Sequence, residues 1–264
     1  MKLNNESKTL FIPLLGKARI SKDNMLLHDP KAEEIVSTID YDFSSLKQSK
    51  WLSLYMSLRA MIFDELCNRY ILEHPNATII HLGCGLDSRC LRVNQNFNIW
   101  YDIDYDNVID IRKKFYDASS KHLMIGSSVL DYKWMEKVKV SENILIVMEG
   151  LTMYLSESEI KDLIQMLNKK FGTVHLLFDA YTKKGVKGSK LKNPVNQMKA
   201  EVKYGIDDPK EFLSLNDNLE YIDTHLIKKD DNNLSGLTKF IFNKLYCGKI
   251  SQSFYKIYEF NLKK

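Results

Sequence analysis

The strongest constraint on the fold lies in residues 77–89, where a short apolar run breaks into a tight glycine turn. Residues 77–82 (ATIIHL) have the apolar, β-branched character of a buried strand, and Gly83, Cys84 and Gly85 follow at once. Glycines lack Cβ atoms, so they permit a sharp turn and let a ligand approach the main chain. The residues after the turn look helical, and a helix offers unpaired N–H groups at its start. This order predicts a cofactor-binding loop formed by Gly83, Cys84 and Gly85.

Two acidic residues lie about 20 residues further on, at the end of a second strand-like segment. In residues 99–104 (IWYDID), Asp102 and Asp104 are two positions apart and therefore point to the same face of a strand. A carboxylate at the carboxyl end of this strand can accept hydrogen bonds from both hydroxyls of a ribose. Position along the strand favours Asp104 as this ribose anchor, and Asp102 is the reserve candidate.

The residue at position 88 distinguishes between two classes of nucleotide cofactor. The dinucleotide fingerprint places a third glycine three residues after the second, so that helix and strand pack closely. This chain has Ser88 there, between Asp87 and Arg89, which disfavours a nicotinamide dinucleotide. S-adenosylmethionine has no pyrophosphate and does not need the third glycine. The loop therefore favours S-adenosylmethionine as the cofactor and leaves a nicotinamide oxidoreductase as the last alternative.

Four segments resemble the leucine carboxyl methyltransferase family, in the family's own order. Residues 82–89 (LGCGLDSR) resemble its cofactor loop. Residues 29–35 (DPKAEEI) resemble the amino-terminal segment of its bacterial branch, which includes tetracenomycin-type polyketide O-methyltransferases. Residues 100–113 resemble the family's second strand and helix, and residues 148–155 (MEGLTMYL) resemble its Glu-Gly-Leu-x-Met-Tyr-Leu segment. The resemblance implies a class I methyltransferase with a Rossmann-like α/β fold.

The resemblance also implies roles for residues outside the glycine loop. Asp131 resembles the family's adenine-contacting acid, and Tyr132 beside it is able to pack on the purine. The alternative is an aspartate that caps a helix ahead of Trp134. Lys17 and Arg19 resemble a basic pair in the amino-terminal segment that folds over the cofactor, although exposed basic residues are a simpler explanation.

Arg59 stands out on physical grounds. In a helical projection of residues 46–73 it falls near the middle of an apolar face. A buried guanidinium is costly unless an anion meets it, so it needs an internal ion pair, an outward-reaching stem or a bound anion. The resemblance favours the bound anion, because an arginine in this helix of the family helps to hold the methionine carboxylate of the cofactor or the acceptor carboxylate.

Three further candidates lie near the predicted ends of the fourth and fifth strands, the edge where ligands bind in open α/β sheets. Glu149 closes the fourth strand, where its carboxylate can meet the α-amino group of the cofactor; helix-terminus electrostatics is the alternative. Tyr154 and Tyr181 can orient an acceptor or serve only in packing. We predict catalytic roles for Arg59 and Tyr154.

Alternating strands and helices predict one α/β domain. Strands are expected at residues 77–82, 98–103, 122–126, 143–149, 174–178, 219–227 and 254–261, and helices at 31–39, 46–73, 105–117 and after a capping box of Ser156 and Glu159. These elements would form a seven-stranded, mostly parallel sheet with an antiparallel final pair and helices on both faces. We divide the domain into a helical cap (1–75), a cofactor-binding core (76–180) and a substrate lid with the closing strands (181–264).

Composition disfavours several other classes of protein. The 264 residues are 44% hydrophobic, which is enough for one sizeable core, and the net charge of +4 is small for a nucleic-acid surface. Four cysteines without C-x-x-C and six histidines without H-E-x-x-H do not indicate a metal site. No run approaches about 18 apolar residues, and the start lacks a signal-peptide pattern. We therefore expect a cytoplasmic protein that contacts neither a membrane nor nucleic acid.

The sequence thus predicts an S-adenosylmethionine-dependent O-methyltransferase that acts on a carboxylate or hydroxyl of a small molecule of secondary metabolism. A carboxylate is ionised at neutral pH and needs no general base, whereas a phenol benefits from one. Two alternatives are methylation of a protein's carboxyl terminus and a non-catalytic protein that binds the cofactor. The lysine-rich residues 183–192 are expected to form a mobile surface loop rather than a lid. The acceptor and the oligomeric state stay open.

Overall fold

One mixed β-sheet forms the centre of the computed structural model, which describes residues 3–190, 198–227, 234–247 and 252–264. Its strands are β1 (Thr78–Leu82), β2 (Ile99–Asp104), β3 (His122–Gly126), β4 (Ile144–Met148), β5 (Val174–Tyr181), β6 (Leu219–His225) and β7 (Tyr255–Leu262). The strand order is β3-β2-β1-β4-β5-β7-β6. The first five strands pair in parallel, and β7 runs antiparallel to both β5 and β6. This topology confirms the predicted sheet.

Helices cover the sheet, and those of the amino-terminal segment pack on one of its faces. They are α1 (Asn5–Lys8), α2 (Phe11–Lys22), α3 (Pro30–Thr38), α4 (Lys50–Glu73), α5 (Arg89–Arg92), α6 (Asp106–Arg112), α7 (Glu157–Phe171), α8 (Lys183–Ser189), α9 (Pro209–Leu213) and α10 (Gly236–Tyr246). Short 3₁₀ turns occupy Phe43–Ser45, Tyr132–Glu136 and Thr152–Tyr154. In the described part of the chain, no helix combines the length and the apolar character that a bilayer crossing requires.

The central strands are buried on both faces, as expected for a parallel sheet between helical layers. Every residue of β1 and of β4 is buried. Successive residues of β1 enter different cores: Ile79 packs with the amino-terminal helices, whereas Ile80 packs with the apolar stripe of α7. This alternation follows from the two-residue period of a strand, and it anchors the turn that follows β1.

Two predicted elements need correction. The helix expected over residues 105–117 ends at Arg112, where Tyr116 turns back, stacks under the Arg112 guanidinium and donates a hydrogen bond to the Leu86 carbonyl. The lysine-rich segment begins as helix α8. The Thr182 side chain caps this helix by accepting a hydrogen bond from the Gly185 N–H. The described part of the segment is therefore helical and not a mobile loop. Lys192 lies outside the described residues.

Candidate active site

A cavity of about 650 Å³ opens at the carboxyl ends of the parallel strands, where open α/β sheets bind their ligands. Each of the five parallel strands contributes a lining residue at or just beyond its end: Gly83, Asp104, Ser127, Glu149 and Tyr181. Helices α1, α2 and α4 supply the opposite wall. The topology therefore brings together residues that are about 100 positions apart in the chain.

The turn after β1 has the geometry that its glycines predict. Gly83 and Gly85 adopt φ values of +67° and +51°, in the region that side chains rarely enter. A Cβ atom on Gly85 would also lie 3.3 Å from the Cβ of Leu10, which covers the turn from the amino-terminal segment. Cys84 is buried between the two glycines and lines the same cavity. The turn borders the cavity, and its N–H groups donate within the protein, to the Ile103 carbonyl and to Asp104.

Asp104 lines the cavity and contacts this turn directly. Its Oδ2 accepts a hydrogen bond from the Gly85 N–H at 2.8 Å, and its Oδ1 accepts from the Tyr105 N–H at 2.8 Å. Burial raises the pKa of Asp104, although these two hydrogen bonds act in the opposite direction. Each carboxylate oxygen keeps a second lone pair, so Asp104 can still accept from a ligand.

Asp102 has a different role from Asp104. Its side chain is completely buried and accepts from the guanidinium of Arg112, with Nη2 at 2.5 Å and Nε at 3.0 Å. Trp100 Nε1 donates to its other oxygen at 2.9 Å, and His122 contacts it as well. The Arg112 guanidinium is among the groups that hold the pKa of Asp102 far below its usual range against the effect of burial. Asp102 is therefore part of the structural core and does not line the cavity.

One cluster of potential metal ligands occurs in the part of the chain that the structure describes, at Cys90, Asp102 and His122. The Arg112 guanidinium lies inside this cluster, because it donates to Asp102 and sits 3.8 Å from the sulfur of Cys90. The positive charge that a metal would bring is thus already supplied by arginine.

Arg59 projects from α4 into the cavity and joins three acidic or phenolic groups. Its Nη2 lies 2.7 Å from Glu149 Oε1, and its Nη1 donates to the Tyr255 hydroxyl at 3.0 Å and lies 3.7 Å from Asp179 Oδ2. Its Nε has no hydrogen-bond partner among the described residues. Arg59 thus forms an internal ion pair with Glu149, which is one of the alternatives that its buried position allows. Its Nε is still available as a donor to a bound anion.

Glu149 closes β4 and is held by two arginines. Arg59 binds one carboxylate oxygen, and Arg89 Nη2 donates to the other. The charges of Arg59 and Arg89 lower the pKa of Glu149 to about 2, although burial opposes this. Glu149 is therefore ionised at neutral pH, and its carboxylate lines the cavity.

Asp131 and Tyr132 are not among the residues that line the cavity. Asp131 is exposed and caps the 3₁₀ turn Tyr132–Glu136, where its Oδ1 accepts from the Lys133 N–H at 3.4 Å. The helix-capping alternative therefore describes Asp131 in this structure. At this strand end the cavity is lined by residues 127–130 instead, which immediately follow β3.

The relationship to known proteins agrees with this geometry. The model of the leucine carboxyl methyltransferase family matches residues 14–168, which is more than half of the chain. The chain belongs to this family. The tetracenomycin polyketide synthesis O-methyltransferase TcmP of Streptomyces glaucescens is 31% identical over 216 residues, which cover 81% of this chain and 80% of TcmP. The S-adenosyl-L-methionine-dependent methyltransferase dpfgK of Gibberella zeae is 26% identical over 259 residues, covering 86% and 84%.

Solved structures support the fold of this leucine carboxyl methyltransferase family member. A DUF574 family protein from Streptomyces avermitilis superposes with a TM-score of 0.61 at 8% identity, covering 92% of this chain and 100% of that protein. Magnesium protoporphyrin IX methyltransferase from Synechocystis, solved with bound S-adenosylmethionine, superposes with a TM-score of 0.53 at 10% identity, covering 90% and 99%. At such low identity these likenesses concern the fold alone.

A buried network of charges supports the cavity of this methyltransferase. Its cations are Lys17, Arg59, Arg89 and Arg92. Its carboxylates are Asp29, Asp64, Asp87, Glu149 and Asp179, each within 4.0 Å of at least one of these cations. In the described residues the network thus contains one more carboxylate than cations.

Most members of this network were not singled out from the sequence. The resemblance places Lys17 in the amino-terminal segment, and the structure buries it against Asp29 and Asp87 instead of leaving it exposed. Arg19 of the same basic pair is exposed and donates to the Gln48 carbonyl. Arg89 and Arg92 are three residues apart, which places them on one side of the short helix α5. That spacing is a usable signal, but it does not reveal their partners.

The far end of the cavity is aromatic. Tyr154 and Tyr181 both line it, together with Tyr255, whose ring lies 5.1 Å from that of Tyr181 in an edge-to-face arrangement. Burial raises the pKa of Tyr154 and of Tyr181, so both phenols keep their protons at neutral pH. The two tyrosines therefore present hydrogen-bond donors and apolar ring surface to a ligand.

Asp179 on β5 gives the stability of the protein a specific pH dependence. Burial raises its pKa from the ordinary 3.8 to about 6, although Arg59 opposes the rise. Between these values the folded protein holds a proton that the unfolded chain lacks, so the contribution of Asp179 to stability is complete at low pH and is lost as the pH rises through about 6. The difference between the folded and unfolded pKa of Asp179 corresponds to roughly 3 kcal/mol in the free energy of unfolding.

We therefore expect the free energy of unfolding of the wild type, relative to Asp179→Asn, to fall by roughly 3 kcal/mol between pH 3 and pH 8. Urea unfolding of both proteins at several pH values measures this difference. Parallel pH profiles for the two proteins would contradict it.

Proposed function

We propose that this chain transfers the methyl group of S-adenosylmethionine to an oxygen atom of a small organic molecule. As a member of its family it is an S-adenosylmethionine-dependent methyltransferase. The observation that carries the proposal is that one cavity joins the glycine turn and Asp104 to the Arg59–Glu149 pair and to an aromatic end. When bound, S-adenosylmethionine supplies the methyl group and leaves as the neutral thioether S-adenosylhomocysteine.

The residues at the cofactor end fit each polar part of this cofactor. Asp104 has the acceptor capacity for two ribose hydroxyls, and the ionised Glu149 suits an α-ammonium group. The Arg59 Nε is a buried donor without a partner among the described residues, which suits the α-carboxylate. The turn of Gly83, Cys84 and Gly85 borders the same cavity. Residues 127–130, rather than Asp131 and Tyr132, would contact the adenine.

The acceptor end supports a small, flat molecule. Its aromatic side chains offer stacking surface, and its phenols offer hydrogen bonds that orient an oxygen atom toward the methyl group. TcmP is named for polyketide synthesis, and we extend this acceptor class to the present chain. We assign Arg59 and Tyr154 to this orientation and propose no contact with nucleic acid or membrane, since the net charge is only +4. A cytoplasmic location is part of the same proposal.

We also propose a division of labour along the chain. Residues 1–75 supply the helical wall that includes Lys17 and Arg59, and residues 76–180 supply the cofactor loop and its acids. Residues 181–264 supply Tyr181 and Tyr255 at the aromatic end. Because the family model ends at residue 168, acceptor choice would depend mostly on this last part.

Calorimetric titration with S-adenosylmethionine, S-adenosylhomocysteine and NAD tests the cofactor assignment. We expect binding of the first two compounds and no heat with NAD, because the turn lacks the third glycine of dinucleotide sites. Binding of NAD alone, or of none of the three, would overturn the proposal.

A transfer assay tests the acceptor class. The protein is incubated with methyl-labelled S-adenosylmethionine and, separately, with the small-molecule and protein fractions of the source cells. We expect the label in the small-molecule fraction. Label in alkali-sensitive protein esters would favour methylation of a protein's carboxyl terminus, and intact cofactor binding without any transfer would favour a non-catalytic protein.

A further inference from the structure

Asp179 is a buried carboxylate that the proposed function leaves unexplained. It is completely buried near the end of β5 and does not line the cavity itself. Its Oδ1 accepts from the Gly150 N–H at 2.7 Å. Its Oδ2 lies 3.7 Å from Arg59 Nη1, which is farther than a hydrogen bond, and its other polar neighbour is the Tyr255 hydroxyl. A buried carboxylate oxygen in this situation is a costly place for a negative charge.

Tyr255 connects Asp179 to the cavity. In the antiparallel pair of β5 and β7, Asp179 lies opposite Ile257 and Tyr181 lies opposite Tyr255, so Asp179 and Tyr255 occupy the same face of the sheet. The Tyr255 oxygen accepts from the same Arg59 nitrogen that approaches Asp179. Because Arg59 donates a hydrogen bond to that oxygen, the hydroxyl hydrogen of Tyr255 is left to be donated to Asp179. Unlike Asp179, Tyr255 lines the cavity.

The charges around Asp179 are accounted for on every element that faces it. Arg59 approaches from α4, and Glu149 and the Gly150 N–H from the end of β4. The phenols are those of Tyr154 on the 3₁₀ turn Thr152–Tyr154, Tyr181 on β5 and Tyr255 on β7. Arg59 is already paired with Glu149 at 2.7 Å. The surplus carboxylate of the buried network is therefore Asp179, since its contact with a cation is weaker than that of Glu149.

A bound cofactor changes this balance by one charge. S-adenosylmethionine carries a sulfonium, an ammonium and a carboxylate and is positive by one unit, whereas S-adenosylhomocysteine is neutral overall. The positive cofactor compensates one surplus carboxylate, but the neutral product does not. A proton on the surplus carboxylate is then the remaining means of compensation.

We propose that Asp179 is the proton acceptor of the methyl-transfer cycle, ionised beside S-adenosylmethionine and protonated beside S-adenosylhomocysteine, with Tyr255 as its link to the cavity. This inference rests on the proposed function. A hydroxyl acceptor loses its proton to the Tyr255 oxygen while the phenolic proton passes to Asp179 Oδ2. The acceptor oxygen uses the electron pair of its former O–H bond to bond the methyl carbon, and the electrons of the broken S–C bond stay on sulfur. The arrangement thus favours a hydroxyl over a carboxylate acceptor, because a carboxylate has no proton to lose.

Calorimetry with the two cofactors tests the role of Asp179 without any acceptor. Titrations at pH 6.5 in two buffers with different ionisation enthalpies count the protons taken up or released. We expect S-adenosylhomocysteine binding to take up more protons than S-adenosylmethionine binding, with a difference that approaches one proton. In Asp179→Asn the two counts should become equal, and in Asp162→Asn, an exposed carboxylate on α7, they should stay as in the wild type.

Three outcomes separate this inference from the proposed function. Equal proton counts for both cofactors in the wild type, or a difference that persists in Asp179→Asn, would overturn the role of Asp179 alone. Absence of binding by either cofactor would overturn the proposed function itself. If Asp179→Asn does not fold, infrared spectra of the wild type decide the question: a protonated carboxyl band with S-adenosylhomocysteine that is missing with S-adenosylmethionine supports the inference, and identical spectra refute it.

Discussion

Asp104→Asn is expected to weaken S-adenosylmethionine binding by roughly one to two orders of magnitude. The substitution removes the negative charge and leaves one acceptor oxygen where Asp104 now has two. One of its contacts with the Gly85 and Tyr105 N–H groups is then lost, and so is a charge-assisted hydrogen bond to the ribose. Calorimetric titration measures the dissociation constant, and circular dichroism establishes that the fold persists.

The matched control is Asp106→Asn, two residues along the chain. Asp106 is exposed in the first turn of α6 and does not line the cavity, so its removal should leave the dissociation constant unchanged. Equal effects of the two variants would mean that general electrostatics, rather than a direct contact of Asp104, accounts for the affinity. An unchanged affinity in Asp104→Asn would exclude Asp104 as the ribose anchor.

Arg112→Met is expected to destabilise the protein by about 3–5 kcal/mol. Arg112 is completely buried, and its guanidinium donates to Asp102 and to the carbonyls of Gly85 and Asp87. Methionine occupies a similar volume but leaves the Asp102 carboxylate buried without its main counter-charge. Urea unfolding followed by circular dichroism measures the loss.

Two controls identify the cause of this destabilisation. Lys113→Met changes the exposed neighbour of Arg112 and should alter the free energy of unfolding by no more than about 0.5 kcal/mol. The double variant Arg112→Met with Asp102→Asn should regain part of the loss, because the unpaired charge is then gone. The native pKa of Asp102 is depressed, so the contribution of the pair is present above about pH 4 and is lost as the pH falls further. A loss in Arg112→Met that is independent of Asp102 would contradict this explanation.

Local interactions were predictable from the sequence to within a few residues. The capping box is confirmed: Ser156 accepts from the Glu159 N–H at 3.2 Å, and Glu159 accepts from the Ser156 N–H at 2.7 Å. The glycine turn and β1 also lie where the pattern predicts them. In these cases the determining contacts join residues close in sequence, or follow from an apolar run that is buried on both faces.

Helix α2 shows where pattern alone fails. Nine of its twelve residues are buried, so it lacks the polar face whose 3.6-residue period reveals a surface helix. Helix α2 packs against α3 and α4, and these tertiary contacts account for its burial. Helix α4 was predicted to begin at residue 46 and begins at Lys50, because the Ser49 side chain accepts from the Leu52 N–H.

The sequence by itself determined the sheet, the cofactor loop and the presence of acids at two strand ends, because strand periodicity and glycine conformation are properties of short segments. Position along β2 already favoured Asp104 over Asp102, but only the tertiary structure gave the physical reason: the distant Arg112 holds Asp102 in the core, whereas Asp104 contacts the glycine turn. The tertiary structure likewise decided that Asp131 caps a turn and that Asp179 meets Arg59. Which carboxylate pairs with a buried cation depends on contacts between segments remote in sequence, and no local pattern records them.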